Sequence, residues 1–501
     1  MSSPVRLSLG FAIGLTLVPA PPTFAQTSSG TGTTINEAWV LTTLKEKNPS
    51  LRAAAVELEQ ASEAKRLEEG KFPYTFQADG NYTRSNTPLW NGQSTQTTQG
   101  DTLVLGSQLS RVFPTGTTAT LRAAGQYSTS QDLSISTLDA STLSTAGFLA
   151  PYQTTLRLTL TQSLLSGYGT LVNQASLRAA RISEQKQRKT LDRQSSELLR
   201  DALLGYWEFW YNSKAVDIQV AALELAKVQQ HEADLRVEHG QLAAADALKF
   251  RTQVATLTES LINSEATFAT SALELGRLVG ITTQAFVWKP GDEEPLLGEL
   301  PGNATILEKL RTQSPALAEQ TEALRLAREK RQTAGDEYRS QLNVQTWVEA
   351  AGASGQVSPA LRQTGTMNAV GVFAGLTFIN TLDDRRLRAS RAQAVQAVAL
   401  AEANLAVTTQ QLQTTALQTR QKAEQARAIF QAASQTQEVA TKQAENERQR
   451  FALGASTPLD VQVAEDTLRQ ARLRVVRAKV DEIKSRISLD HAIGELTMGR
   501  L

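Results

Sequence analysis

The chain has 501 residues, with 51 basic and 50 acidic side chains, 41% hydrophobic residues and no cysteine. A net charge this close to zero argues against binding driven by attraction to phosphates. The lack of cysteine excludes a disulfide framework, a thiol nucleophile, a thiolate metal site and a lipid-modified N-terminal cysteine.

Residues 1–25 read as a secretory signal peptide. Arg6 is the only charge, an apolar run extends from Leu7 to Val18, and the small residues Thr23 and Ala25 precede a cut ahead of Gln26. The run is about a dozen residues, short for a bilayer span. A membrane anchor is the alternative. No later stretch is apolar for long enough to form a membrane-spanning helix. Whatever holds the mature chain in a membrane is therefore not expected to be helical.

In chain order the pattern predicts a helix over Ile35 to Glu69 and then an extended region over 73–164. Within that region Tyr74, Phe76, Ala78 and Tyr82 share one face of a strand. Thr102 to Phe113 and Thr117 to Ser130 flank the turn Pro114-Thr115-Gly116, and Pro151 to Leu164 alternates Tyr152, Leu156, Leu158, Leu160 with Thr155, Arg157, Thr159. A very long helix (Asn173 to His239) follows, interrupted only by Gly205, then a short turn and a helix over Leu242 to Val279. A Pro/Gly/acidic linker is expected over 287–302. Beyond it come a helix over Ile306 to Tyr338, strands within 342–379 around a polar loop (Ala351 to Asn368), a second long helix (Asp383 to Leu453) and a last helix from Pro458 to Leu496.

The two halves repeat one plan. Arg236, Gly240, Asp246 and Gly280 recur as Arg450, Gly454, Asp460 and Gly494, always 214 residues later. Leu177-Arg178-Ala179-Ala180-Arg181 recurs as Leu387-Arg388-Ala389-Ser390-Arg391. The chain therefore divides into residues 26–286 and 303–496, joined by 287–302, with a tail at 497–501. The first half carries four expected strands and the second only two.

Asp383 to Phe451 holds no Gly or Pro and would reach about 100 Å as one helix. Such rods must pack sideways as coiled coils. Their apolar positions are mostly Ala, which suits close contact on two faces, as in a ring of helices. The strands are about the length of tilted membrane strands, one face apolar and the other small or polar. A soluble sheet capping the helices is the alternative. A single chain has too few strands to close a barrel, and open edges in lipid would strand backbone groups. Several identical copies must complete the ring.

No catalytic constellation, cofactor site or metal site is expected. His231 and His239 lie about 12 Å apart along a helix, too far for one ion, and no phosphate loop or hydrolase motif occurs.

On these residues the sequence resembles the TolC family of bacterial outer-membrane efflux and secretion channels. The resemblance spans essentially the whole mature chain. It rests on the duplicated plan, on Asn48-Pro49-Ser50-Leu51, on Leu164-Leu165-Ser166-Gly167-Tyr168-Gly169 at a strand-to-helix junction, and on the turn from Arg450 to Val461.

The fold class implied is mainly α with a membrane β-barrel part: long helical hairpins forming a trimeric α-barrel, continued by a trimeric transmembrane β-barrel. The resemblance also implies an outer-membrane homotrimer with a long periplasmic extension. It would contact outer-membrane lipid and no nucleic acid, and serve as the passive duct of a tripartite efflux pump or type I secretion system. A periplasmic adaptor (membrane fusion protein) would open it, and an inner-membrane RND or ABC transporter would power it. A non-channel periplasmic coiled-coil scaffold, or the adaptor itself, is the competing reading.

The family usually has four strands per chain. The extra hairpin around Pro114-Thr115-Gly116 either enlarges the barrel or folds outside its wall or as a plug.

By the same resemblance, Asp460 and Phe451 belong to a periplasmic gate, and Gly240, Leu242, Leu453 and Gly454 shape tips that meet an adaptor. Helix capping by Asp460, and turn geometry alone at the glycines, are the plainer alternatives. The family's second gate acid falls at Val463 and a basic latch at Ser456, so both are missing; Glu465 or Asp466 are the nearest substitutes. Tyr74, Tyr82, Tyr127, Tyr152 and Trp347 are expected as membrane-interface aromatics. The run Tyr206-Trp207-Glu208-Phe209-Trp210-Tyr211 is expected to pack in an equatorial region, with a drug-binding patch as the sharper alternative.

Overall fold

The computed structural model describes residues 33–90, 95–129, 150–240, 242–281, 288–291 and 298–497. The expected signal peptide, much of the linker and nearly all of the tail lie outside the described residues.

The first repeat runs β1 (Thr33–Ile35), α1 (Glu37–Lys47), α2 (Pro49–Glu69), β2 (Tyr74–Trp90), β3 (Thr95–Val112), β4 (Thr117–Ser128), β5 (Tyr152–Ser163), α3 (Thr170–Asn173), α4 (Ala175–Glu238) and α5 (Ala244–Val279). After β6 (Trp288–Pro290) in the connecting segment, the second runs α6 (Asn303–Gln313), α7 (Pro315–Thr333), a 3-10 turn, β7 (Gln341–Ser354), α8 (Val357–Gly365), β8 (Ala369–Ile379), α9 (Arg385–Ala452) and α10 (Pro458–Ala492). α4 has 64 residues and α9 has 68, so the second long helix is longer by one turn.

Four expectations are corrected. The helix predicted from Ile35 to Glu69 breaks at Asn48, because Pro49 pushes the preceding residue out of helical geometry. Asn48 then starts α2 by accepting from the Leu51 amide at 3.0 Å. The helix predicted over Ile306 to Tyr338 breaks in the same way at Ser314-Pro315. The segment expected as linker contains β6, which pairs in parallel with β1. The loop expected over Ala351 to Asn368 is part strand and part helix. α8 docks through Thr364, whose hydroxyl lies 2.6 Å from that of Thr154, over Gly352, where a Cβ would meet the Ala360 carbonyl at 2.1 Å.

The short helices are laid end to end along the long ones. α2 covers one end of α4, with Lys65 on Glu184 at 2.8 Å. α5 covers the other, with Arg251 on Asp234 at 3.0 Å. They meet at Gly280, which has φ +85°; a Cβ there would lie 2.5 Å from the Lys47 carbonyl oxygen. The second repeat copies the joint: α10 ends at Gly494, 2.7 Å by the same measure from the Gln313 carbonyl oxygen. The helical wall therefore has four rods, in the order α2 with α5, α4, α7 with α10, and α9. Its seams are small. Ala440 and Ala444 of α9 pack on Ala464, Leu468 and Ala471 of α10, and alanine seams let helix backbones approach closely.

The aromatic run of α4 is core. Tyr206, Trp207, Phe209 and Trp210 are buried against α1, α5, α10, Ile35 and Trp288. Each buried large side chain is worth about 1.5–3 kcal/mol. Trp207 Nε1 donates to Glu37 at 2.7 Å and Trp210 Nε1 to the Gly291 carbonyl at 3.1 Å, so the polar edges are satisfied too. A surface drug patch does not fit side chains this buried.

Among the described residues the sheet has six strands in the order β2-β3-β4-β5-β7-β8, every pair antiparallel. β3 pairs along both edges, so the extra hairpin is neither a plug nor an external flap. Among the described residues β2 and β8 are its open edges. Since α2 leads into β2 and β8 leads into α9, the open edges of sheet and helical wall lie on matching sides.

Candidate functional site

Cross-strand register sorts the sheet into two faces. One row runs Phe76, Leu109, Leu121, Leu158, Val348, Val372, apolar across all six strands. The next row, on the opposite face, runs Gln77, Gln108, Arg122, Arg157, Glu349, Gly371. Charges backed by leucines at one level are the pattern of a sheet with hydrocarbon on one side and water on the other.

The charges are paired. Arg122 Nη2 donates to Asp79 Oδ2 at 3.0 Å, reaching over β3 at Gly106, where any Cβ would fall 2.8 Å from that oxygen. Arg157 Nε donates to Glu349 Oε2 at 2.5 Å, and its guanidinium stands 4.7 Å from the Trp347 ring centre.

Tyr82, Tyr127 and Tyr152 stand in one row on the apolar face, separated only by Leu103. The rings of Tyr127 and Tyr152 are 4.9 Å apart, and Tyr82 donates to Asp101 at 2.8 Å. Tyr74 is on the same face at the start of β2, accepting from Arg111 at 2.7 Å, while Tyr82 stands at the middle of that strand. Tyr82 is eight positions along from Tyr74, about 27 Å of strand or roughly 20 Å of height at the tilt of membrane strands, somewhat less than a bilayer's apolar band. Trp347, expected beside these tyrosines, is on the other face, stacked on Phe373 at 5.6 Å and beneath Arg157. A period of two places it there, one step from Val348.

At the far end of the helices the two turns come together. Gly240 and Gly454 hold φ +72° and +69°, the left-handed geometry a helix C-terminus favours in glycine. Leu242 is half-buried, whereas Leu453 is one of the most exposed large apolar side chains described. Phe451 bridges the turns: its ring lies 6.3 Å from Phe250 of α5 and 4.9 Å from the Arg236 guanidinium. Arg236 was visible only as a repeat anchor; its partner lies in the other repeat.

Asp460 is exposed and closes a capping box. Its Oδ2 accepts from the Thr457 amide at 3.0 Å and hydroxyl at 2.7 Å, while the Thr457 hydroxyl accepts from the Asp460 amide. Those bonds hold its carboxyl below the usual carboxylate range. The two acids expected as substitutes for the missing one are engaged elsewhere, Glu465 with Arg448 and Asp466 with Arg469.

Among the described residues no helix is long and apolar enough to cross a membrane, and no group of side chains is arranged to hold a metal ion.

No sequence family and no curated protein matches the chain. Solved structures do. The CusC structures, described in terms of folding and transmembrane channel formation, match 97% of this chain and 99% of theirs, with TM-score 0.66 and 13% identity. The outer-membrane channel CmeC of Campylobacter jejuni matches 94% and 91%, with TM-score 0.65 and 12% identity. The open-state outer-membrane channel MtrE of Neisseria gonorrhoeae matches 91% and 88%, with TM-score 0.65 and 13% identity. The chain has the fold of these outer-membrane channel proteins, along nearly its whole length.

Proposed function

We propose that the chain is one subunit of a ring-shaped outer-membrane channel, a homotrimer whose sheets form the barrel in the lipid and whose helices extend it through the periplasm. The observation that carries the reading is the pair of matching open edges. Six antiparallel strands leave β2 and β8 running in opposite senses, so β8 of one copy meets β2 of the next as a normal antiparallel pair. α9 meets the neighbour's α2 and α5 along the same seam. Three copies of six strands make eighteen, a size at which barrels enclose an aqueous channel.

In this reading the duct is a passive part of an efflux pump or a type I secretion system. A periplasmic adaptor engages the tips at Gly240, Leu242, Leu453 and Gly454, and an RND or ABC transporter supplies the energy. Phe451 and Asp460 form the periplasmic gate. The row Tyr82, Tyr127 and Tyr152 marks one membrane interface and Tyr74 the other.

The test is fractionation and electrophysiology of the full-length protein. An outer-membrane, heat-dissociable trimer with single-channel conductance in planar bilayers is expected. A folded monomer that needs no detergent, or a trimer that conducts nothing after its tips are opened, overturns the proposal and favours a periplasmic scaffold.

A further inference from the structure

We propose that Arg122 and Arg157 form an anion-attracting belt inside the membrane part of the wall and set the charge preference of what passes there. The inference rests on the channel reading above and adds a specificity determinant to it.

The two arginines are direct cross-strand partners on β4 and β5. Like charges placed opposite each other destabilise a sheet. Here each is balanced from the far side, Arg122 by Asp79 and Arg157 by Glu349. The balance in number is not a balance in exposure. The guanidinium side chains are 39% and 44% exposed, their carboxylate partners 20% and 19%. What faces open space is mainly positive.

Both guanidinium groups are held in place. Gly106 leaves the slot through which Arg122 crosses β3. Trp347, itself stacked on Phe373, supports Arg157 from one side while Glu349 binds it from the other. Leu121, Leu158 and Val348 lie on the apolar face at nearly the same height. Low-dielectric hydrocarbon behind a fixed charge strengthens its field in the adjoining water. Carboxylates, sulfonates and phosphates are the chemistry that such guanidinium forks recognise.

The natural chain contains no cysteine, so one introduced thiol is a clean reporter. Thr155→Cys puts it on the polar face, two residues along β5 from Arg157. Trimers in outer-membrane vesicles are treated with an anionic sulfonatoethyl or a cationic trimethylammonioethyl methanethiosulfonate. The anionic reagent is expected to be favoured at least about threefold over its ratio on a free thiol. Arg122→Gln with Arg157→Gln should abolish that preference, and Arg122→Lys with Arg157→Lys should retain most of it. If the double glutamine variant does not assemble, Arg157→Gln alone should lower the preference.

A ratio that does not move when the charge is removed overturns the belt while leaving the channel intact. If neither charged reagent reaches Thr155→Cys while both reach Leu156→Cys on the other face, the channel reading itself is reversed and the belt falls with it.

Discussion

Asn48 Nδ2 donates to the Leu278 carbonyl at 2.7 Å, and this bond ties the start of α2 to the end of α5. The same side chain caps α2 through its oxygen, so one buried amide completes two helix ends that meet along α4.

Asn48→Ala removes a cap and leaves a carbonyl unsatisfied, with an expected loss of about 2 kcal/mol. Gly280→Ala forces a Cβ against the Lys47 backbone at positive φ, costing about 1–3 kcal/mol. Ser314→Ala should cost less, because Ser314 caps only its own helix, at 3.5 Å. Urea unfolding of the three variants ranks them; a Ser314 effect as large as that of Asn48 contradicts the joint.

Phe209 is fully buried between α4, α5 and Trp288, stacked 5.0 Å from Phe268. Phe209→Ala should cost about 3–5 kcal/mol. Removing exposed Leu453 should leave monomer stability nearly unchanged. Thermal unfolding of the pair measures the contrast.

His491 is held neutral. Burial, helped by the nearby Arg200, lowers its imidazole from 6.5 to about 4, and its Nδ1 lies 3.0 Å from the Ser196 hydroxyl. An unfolded histidine takes up its proton near pH 6.5, before the folded one does. Its contribution to stability is therefore whole above pH 6.5 and is lost as pH falls toward 4. Asp490, whose carboxyl burial pushes up, works in the opposite sense. The gap between the denaturation midpoints of the protein and of His491→Gln should be constant above pH 6.5 and shift against the unsubstituted protein as pH falls toward 4; a gap that does not change over that range refutes the assignment.

The cap and gate roles of Asp460 separate by variant. Thr457→Ala and Asp460→Ala each break the capping box and should cost about 1 kcal/mol, with less than additive effect together. Only Asp460→Ala removes the carboxylate. If the carboxylate lines the entrance, reversal potentials shift toward anions in that variant alone. An equal shift in both reduces the residue to a cap.

Much of the architecture was legible because it repeats. The shared offset linking Gly240 to Gly454 and Asp246 to Asp460 located both turns, and strand alternation located six strands. Short or register-dependent features were hidden. β6 is three residues long and exists only because β1 lies beside it. α8 sits in a stretch rich in Gly, Ser and Gln, where only Ala360 and Thr364 face inward. The bridge from Asp79 to Arg122 and the slot at Gly106 follow from pairing register, which single-strand periodicity does not carry, whereas the facing of Trp347 follows from its single step from Val348. The Asn48-Pro49 and Ser314-Pro315 breaks were in plain view, each a capping residue followed by a proline.

The β3–β4 hairpin adds one ascending and one descending strand, so it leaves the polarity of β2 and β8 at the two edges as it was. In the ring proposed above, bore would therefore grow only in steps of two strands per subunit, and each step would spare the seam between copies. Gauge and assembly would then be uncoupled, since the rods beneath keep the same joinery whatever the number of strands.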